Sequence, residues 1–231
     1  MRDLKDTVAW ITGAGTGIGE GAAVAMAREG AKVILTGRRK DPLERVSEKI
    51  TNAGGIVEIA QGDALDRSGM MTLARDIKTR HGKLDLLFNN HGINITNRNW
   101  GGGNLEGWDE VIDVNVTGVF VSAQSFAKYC ISKGKPGVII NTASTLGVMG
   151  STSRCAYSTS KHAVVGMTKS LAMDLAPYDI RVNAVGPGVI RTPLTEPYFQ
   201  DAEMAKKNKR DPCYEPHRGA IGDSERSSFP G

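Results

Sequence analysis

The chain has 231 residues, which suits one large α/β domain and is tight for two. Hydrophobic residues make up 40% and charged residues 23%, the balance of a globular chain rather than a disordered or fibrous one. The net charge of +4 comes from scattered basic residues without a basic stripe or recognition motif, so no nucleic-acid partner is expected. Three cysteines, Cys130, Cys155 and Cys213, show no metal-ligand spacing, which argues against a disulfide framework, a zinc site or any other metal centre. No window approaches the roughly 18 apolar residues of a membrane span. The opening residues Met1 to Asp6 lack an apolar signal core, and the cytoplasm is the default expectation.

Short apolar runs alternate with helical stretches along most of the chain. Val8 to Ile11 is a run of β-formers that ends in glycines, and the alanine-rich Glu20 to Glu29 is helical in character. Lys32 to Thr36 is a strand, Leu43 to Ile50 a helix, and Ile56 to Ala60 a strand. Ser68 to Arg80 is helical and Leu84 to Phe88 a strand. Leu105 to Ile131 predicts one long helix, Val138 to Asn141 a strand, Tyr157 to Ala176 another long helix, and Arg181 to Val185 a sixth strand. Strands alternating with helices imply right-handed crossovers and a parallel sheet covered on both faces. This is the α/β doubly wound arrangement, in which ligands bind beyond the carboxyl ends of the strands. The pattern assigns residues 1–195 to one dinucleotide-binding catalytic domain. Six of the nine prolines lie at Pro187 or later, and residues 196–231 read as an irregular tail.

The first strand runs into Thr12-Gly13-Ala14-Gly15-Thr16-Gly17-Ile18-Gly19, which opens the first helix. Glycines there let the backbone approach a pyrophosphate, and the helix N-terminus offers free N–H groups. A generic G-x-G-x-x-G scan from Gly13 fails at Ile18; the spacing present is Gly13, Gly17 and Gly19. The second strand ends at Thr36 and is followed by Gly37-Arg38-Arg39, with no acid at its end. A carboxylate there would bond ribose hydroxyls, whereas Arg38 can pair with a 2′-phosphate; this favours NADP, with NAD as the alternative. Asp63, after the third strand, is placed either to bond the adenine edge or to cap a helix.

Tyr157 and Lys161 are four residues apart at a helix start, so their side chains share one face. A phenol titrates near about 10 and is a poor base at neutral pH, but a neighbouring ammonium lowers that value. Such a tyrosine becomes a useful general acid/base. Ser144 lies just past the strand Val138 to Asn141 and can donate to a carbonyl oxygen that gains charge as hydride arrives.

In order along the chain stand Thr12-Gly-x-x-x-Gly-Ile-Gly19, Asn89-Asn90-x-Gly92, Asn115, Ser144, Tyr157-x-x-x-Lys161 and Pro187-Gly188. With these the sequence resembles the short-chain dehydrogenase/reductase family, over roughly Asp6 to Leu194. The resemblance implies a Rossmann-like sheet in the order 3-2-1-4-5-6. It implies hydride transfer between nicotinamide C4 and a carbinol carbon, with a small carbonyl or alcohol as substrate. It gives Tyr157 the proton transfer, Lys161 the nicotinamide ribose and the tuning of Tyr157, and Ser144 the orientation of substrate. Asn115 would hold a relay water; its other reading is a polar group that breaks the helix locally. Gly13, Thr16, Gly17, Ile18 and Gly19 would hold the phosphates, and Asn90 and Gly92 would line the cofactor cleft. Pro187, Gly188, Ile190 and Thr192 would border the nicotinamide, with Thr192 bonding the carboxamide.

Two departures from the family pattern stand out. His91 occupies a place where the family commonly has alanine; it is either a bulky neighbour of the cofactor or a third acid/base. The usual final helix and strand do not follow, which leaves a catalytically idle cofactor-binding or interaction protein as the rival to an enzyme. It also predicts an exposed sheet edge and an altered version of one family interface. A homo-oligomer through helices 105–131 and 157–176 remains open, since Ala123, Ala127, Ala163 and Gly166 would permit close packing. The substrate is not readable: the loop Ile93 to Gly107, with Gly101-Gly102-Gly103, Trp100 and Trp108, and the stretch Thr195 to Pro216 carry no recognisable code.

Overall fold

The computed structural model describes residues 4–95 and 106–200. Six strands are formed by the β-rich apolar runs: β1 (Val8–Thr12), β2 (Lys32–Thr36), β3 (Ile56–Ile59), β4 (Leu86–Asn89), β5 (Gly137–Thr142) and β6 (Ile180–Val185). All pair in parallel in the order β3-β2-β1-β4-β5-β6, as the doubly wound reading requires. The order reverses between β1 and β4, and the crossovers depart to opposite faces there. That parting leaves a crevice at the strands' carboxyl ends.

The helices are α1 (Gly17–Arg28), α2 (Lys40–Asn52), α3 (Arg67–His81), α4 (Glu106–Ile112), α5 (Gly118–Lys133), α6 (Cys155–Leu175) and the short α7 (Glu196–Gln200). Strand residues alternate between faces. Trp10, Ile34, Leu87, Ile139 and Val182 face one way and pack with Met70 and Ile77 of α3 and Phe126 of α5. Ile11, Leu35 and Phe88 face the other way and pack with Ala23 of α1 and with Leu43, Val46 and Ile50 of α2. At about 25 cal/mol per Å² these two apolar layers are the main source of stability. β6 is an edge strand among the described residues, and its outward residues Arg181 and Asn183 are exposed.

The register carries the site. Across β2, β1, β4 and β5 the register sets Thr36, Thr12, Asn89 and Asn141 side by side, all buried. Buried polar groups require partners. Here they bond one another and the neighbouring loops, so the row divides the apolar sheet from the polar crevice.

The stretch read as one helix over 105–131 is two helices. A π-helical turn, Asp113–Thr117, separates α4 from α5, and the Gly118 amide donates back to the Asp113 carbonyl. The wider turn accommodates an extra residue, a device common at functional sites. Leu105 and the Gly101–Gly103 loop with Trp100 lie outside the described residues, as do residues 201–231 with Cys213. The segment read as an irregular tail begins with α7. Ala123 and Ala127, expected to ease packing between copies, are buried in this chain's own core against α3, whereas Gly166 is exposed.

Candidate active site

Each side of the crevice is built from its strand ends. After β1 the chain turns through Gly13, at φ +62°, and Gly17, at φ +59°. Both angles favour glycine. A Cβ at Gly13 would lie 2.7 Å from the His91 Cα, so the turn lies directly against the loop after β4. Thr16 caps α1 in an extended conformation without a side-chain hydrogen bond. The first amides of this 12-residue helix therefore face the crevice beside Thr16, Gly17 and Ile18 with donors to offer. Gly19 does not line the crevice. A Cβ there would overlap the Gly13 carbonyl, so its role is close packing of helix on turn.

Past β2, Arg38 and Arg39 are exposed at the crevice mouth, with no carboxylate among the described residues paired to either. The Gln61 amide donates to the Arg38 carbonyl at 2.8 Å and pins this corner. Asp63 lines the same end, and its Oδ1 accepts from the Leu65 amide at 3.0 Å. The cap of α3 is Asp66, which accepts from the Gly69 amide at 2.9 Å, so the capping alternative for Asp63 does not hold.

The loop after β4 joins the two sides. The Asn90 amide donates to Thr12 Oγ1 at 3.1 Å, and its Nδ2 donates to the Gly13 carbonyl at 3.1 Å. Thr142 Oγ1 donates to Asn90 Oδ1 at 3.3 Å. Gly92 lies close under the side chains of Asn115 and Lys161: a Cβ there would stand 3.2 Å from Asn115 Oδ1, a tight contact, and 3.6 Å from Lys161 Nζ, an ordinary one.

Asn115 sits in the π turn and is fully buried. Its Oδ1 accepts from the Ile93 amide at 2.8 Å, and its Nδ2 donates to the Ile93 carbonyl at 2.9 Å and to Ser160 Oγ at 3.0 Å. Its side chain thus holds the β4 loop to the helix. The reading as a polar group that breaks the helix locally matches the π turn.

Ser144, Tyr157 and Lys161 meet at the far end of the crevice. Ser144 Oγ accepts from the Leu146 amide at 3.1 Å, which leaves its proton to donate into the crevice. Lys161 is 3% exposed, and its Nζ donates to the Thr142 carbonyl at 2.8 Å. The same ammonium stands 5.6 Å from the Tyr157 ring centroid. Burial lowers the Lys161 pKa to about 8, so at neutral pH the group still carries its charge. Pro187, Gly188, Ile190 and Thr192 border the crevice as expected. Thr192 is already engaged: its amide donates to Thr195 Oγ1 at 2.9 Å, and the two hydroxyls are 3.1 Å apart.

Sequence reasoning assigned no separate role to Thr12, Thr142, Ser160 and Thr195. The first two end their strands at the crevice, a position that marks them only once the register is known. Among the described residues no group of three His, Cys, Asp or Glu side chains is placed to hold a metal.

The crevice, ≈ 290 Å³, runs from the arginines past the glycine turn to the Ser-Tyr-Lys cluster. The α1 N-terminus, which has no side-chain cap, and the glycine-rich turn fit the phosphates of a dinucleotide. The fold and site define a dinucleotide-dependent oxidoreductase. The short chain dehydrogenase family model matches residues 7–203, and the chain belongs to that family. It is 36% identical over 203 residues to a cyclohexanol dehydrogenase of Acinetobacter sp., covering 88% of this chain and 80% of that one. It is 37% identical over 198 residues to a 3-oxoacyl-acyl-carrier-protein reductase of Thermotoga maritima, covering 84% and 78%. A short-chain type dehydrogenase/reductase from Mycobacterium marinum superposes with a TM-score of 0.85 at 36% identity, covering 89% and 82%. A gluconate 5-dehydrogenase from Burkholderia cenocepacia, in complex with NADP and tartrate, gives 0.83 at 28% identity, covering 90% and 80%. The chain is thus an NAD(P)-dependent oxidoreductase that moves hydride between nicotinamide and a carbonyl or alcohol substrate. No described helix is long and apolar enough to cross a membrane.

Proposed function

We propose that the chain is an NADP-preferring ketone reductase or secondary-alcohol dehydrogenase in which Tyr157 is the general acid/base. The observation that carries this reading is the buried Lys161 ammonium, anchored to the Thr142 carbonyl and facing the Tyr157 ring. A cation so placed favours the phenolate and brings the phenol toward neutral pH. Ser144 donates to the same substrate oxygen and stabilises the charge that develops on it. The nicotinamide cofactor, when bound, supplies or accepts the hydride. Gly13, Thr16, Gly17, Ile18, Asn90, Gly92, Pro187, Gly188, Ile190 and Thr192 would hold it, with Asp63 at the adenine end. Asn115 acts indirectly by holding the Ile93 backbone beside the reaction centre.

Arg38 and the buried Thr36 support the NADP preference: the end of β2 offers a cation and no carboxylate. The free thiols Cys130 and Cys155 fit a reducing compartment such as the cytoplasm. The exposed Phe120 and Ile131 of α5 and Met173 of α6 are candidates for a contact between copies of the chain. The test of the enzymatic reading is NADPH oxidation with small ketones, including a cyclic ketone and a 3-oxoacyl thioester, in wild type and Tyr157→Phe. Turnover in the wild type alone supports it, and equal turnover in both removes Tyr157 from the chemistry.

A further inference from the structure

His91 is a half-buried titratable group, with its Nε2 shut off from solvent, that the proposed chemistry leaves unused. Its Nδ1 lies 2.7 Å from Thr12 Oγ1, at the end of β1. Its Nε2 is enclosed without a partner in full hydrogen-bond geometry, and the Val114 carbonyl of the π turn favours a proton on that side of the ring. Gly118 leaves the room for the ring, since a Cβ there would stand 2.9 Å from Nε2. The charges that face it are Lys161, Arg38 and Asp63. Burial, with Lys161 second, holds its pKa down to about 4, so the imidazole is neutral at working pH.

Hydrogen-bond accounting selects the tautomer. Thr12 Oγ1 already accepts from the Asn90 amide at 3.1 Å. Its one proton has two acceptors, the Phe88 carbonyl at 3.4 Å and His91 Nδ1 at 2.7 Å. A proton on Nδ1 would leave the hydroxyl only the 3.4 Å contact, beyond the usual O–H···O range, and would leave Nε2 bare toward Val114, so the hydroxyl donates to Nδ1. Nδ1 is then an acceptor, and the neutral ring carries its proton on Nε2, toward Val114.

We propose that His91, as the neutral Nε2–H tautomer, is a positioning residue for the cofactor cleft: it orients the Thr12 hydroxyl toward itself, so that Asn90 is held to β1 and, through its Nδ2, clamps the Gly13 carbonyl of the phosphate turn. This rests on the reading of the cleft as a nicotinamide dinucleotide site. The ring reaches the turn through Thr12 and Asn90, whereas it reaches Lys161 only through the longer 3.3 Å bond from Thr142 to Asn90 and the Thr142 backbone carbonyl. The effect therefore falls more on cofactor affinity than on kcat.

Substitutions can separate the two ends of the ring. His91→Asn keeps an acceptor near the place of Nδ1, His91→Gln keeps an amide near the place of Nε2, and His91→Ala keeps neither. NADPH affinity, read by fluorescence titration, is expected to fall about five- to tenfold in the Ala and Gln variants, the worth of one hydrogen bond. The Asn variant should stay within about threefold of wild type, and kcat at saturating cofactor should change less than affinity in every variant. In a Thr12→Val background, His91→Ala should add no further loss. Heteronuclear NMR of the ring nitrogens, without cofactor, should show a neutral Nε2–H imidazole from about pH 6 to 8, where an exposed ring is partly charged. A Nδ1–H or charged ring, or a His91→Ala variant with lowered Tm and unchanged affinity, would overturn the proposal alone. Failure of the wild type to bind either NADPH or NADH would overturn the cofactor reading, and with it the role given to His91.

Discussion

The two sides of the crevice are made of different materials. On the side of β1 and β2, recognition is built from backbone: glycines at φ +62° and +59° and the free amides of α1. On the side of β4, β5 and α6 it is built from side chains, the half-buried Asn90 and the buried Asn115, Thr142, Ser160 and Lys161, bonded to one another and to loop carbonyls. A backbone site tolerates almost any neighbouring side chain but no added Cβ. A side-chain site tolerates small shifts of backbone but no lost partner.

The largest expected difference tests the side-chain half. Tyr157→Phe should lower turnover by about a thousandfold while NADPH titration remains near wild type. Gly19→Ala tests the backbone half, because the new methyl must overlap the Gly13 carbonyl. A loss of about 3 kcal/mol is expected from denaturant unfolding.

His91, which joins the halves, has a pH signature. Its folded pKa of about 4 lies below the ordinary value of 6.5. Between these values the unfolded chain binds more protons, so stability falls as pH drops from about 6.5 toward about 4, by about 3 kcal/mol in all. Urea midpoints should show this slope in the wild type and its removal in His91→Asn.

Arg38→Ala should weaken NADPH about tenfold and leave NADH unchanged, a smaller effect because the guanidinium is solvated. On the side-chain side Ser153 holds φ +61°, a conformation that suits glycine, on the approach to Tyr157. Ser153→Gly should raise stability by about 0.5 to 1 kcal/mol, read as an increase in Tm.

The difference between the halves also explains what was legible in the sequence. Gly13, Gly17 and Arg38 were readable because their meaning is local: a turn between a strand and a helix, and the end of the next strand. The six strands were readable as apolar runs, though β1, β4 and β5 each end one residue later than those runs, at Thr12, Asn89 and Thr142. The side-chain half depends on bonds between distant positions. Asn115 meets Ile93 across 22 residues, and Asn89 meets Asn141 across 52. Spacing carries no record of such pairs. The π turn was legible only as the second reading of Asn115, a polar group that breaks the helix locally, because apolar periodicity continues on both sides of it. Tyr157 and Lys161 were the exception on that side, because one helix turn brings them together.

The central claim is that Tyr157, tuned by Lys161, exchanges a proton with the substrate oxygen during nicotinamide-dependent reduction. The most direct measurement is the pH profile of ketone-dependent NADPH oxidation in the wild type, beside Tyr157→Phe at matched cofactor saturation. The account predicts measurable wild-type turnover governed by a group well below the ordinary phenol value of about 10, and loss of that turnover in the variant. Turnover in Tyr157→Phe equal to wild type, with the same profile, would contradict it.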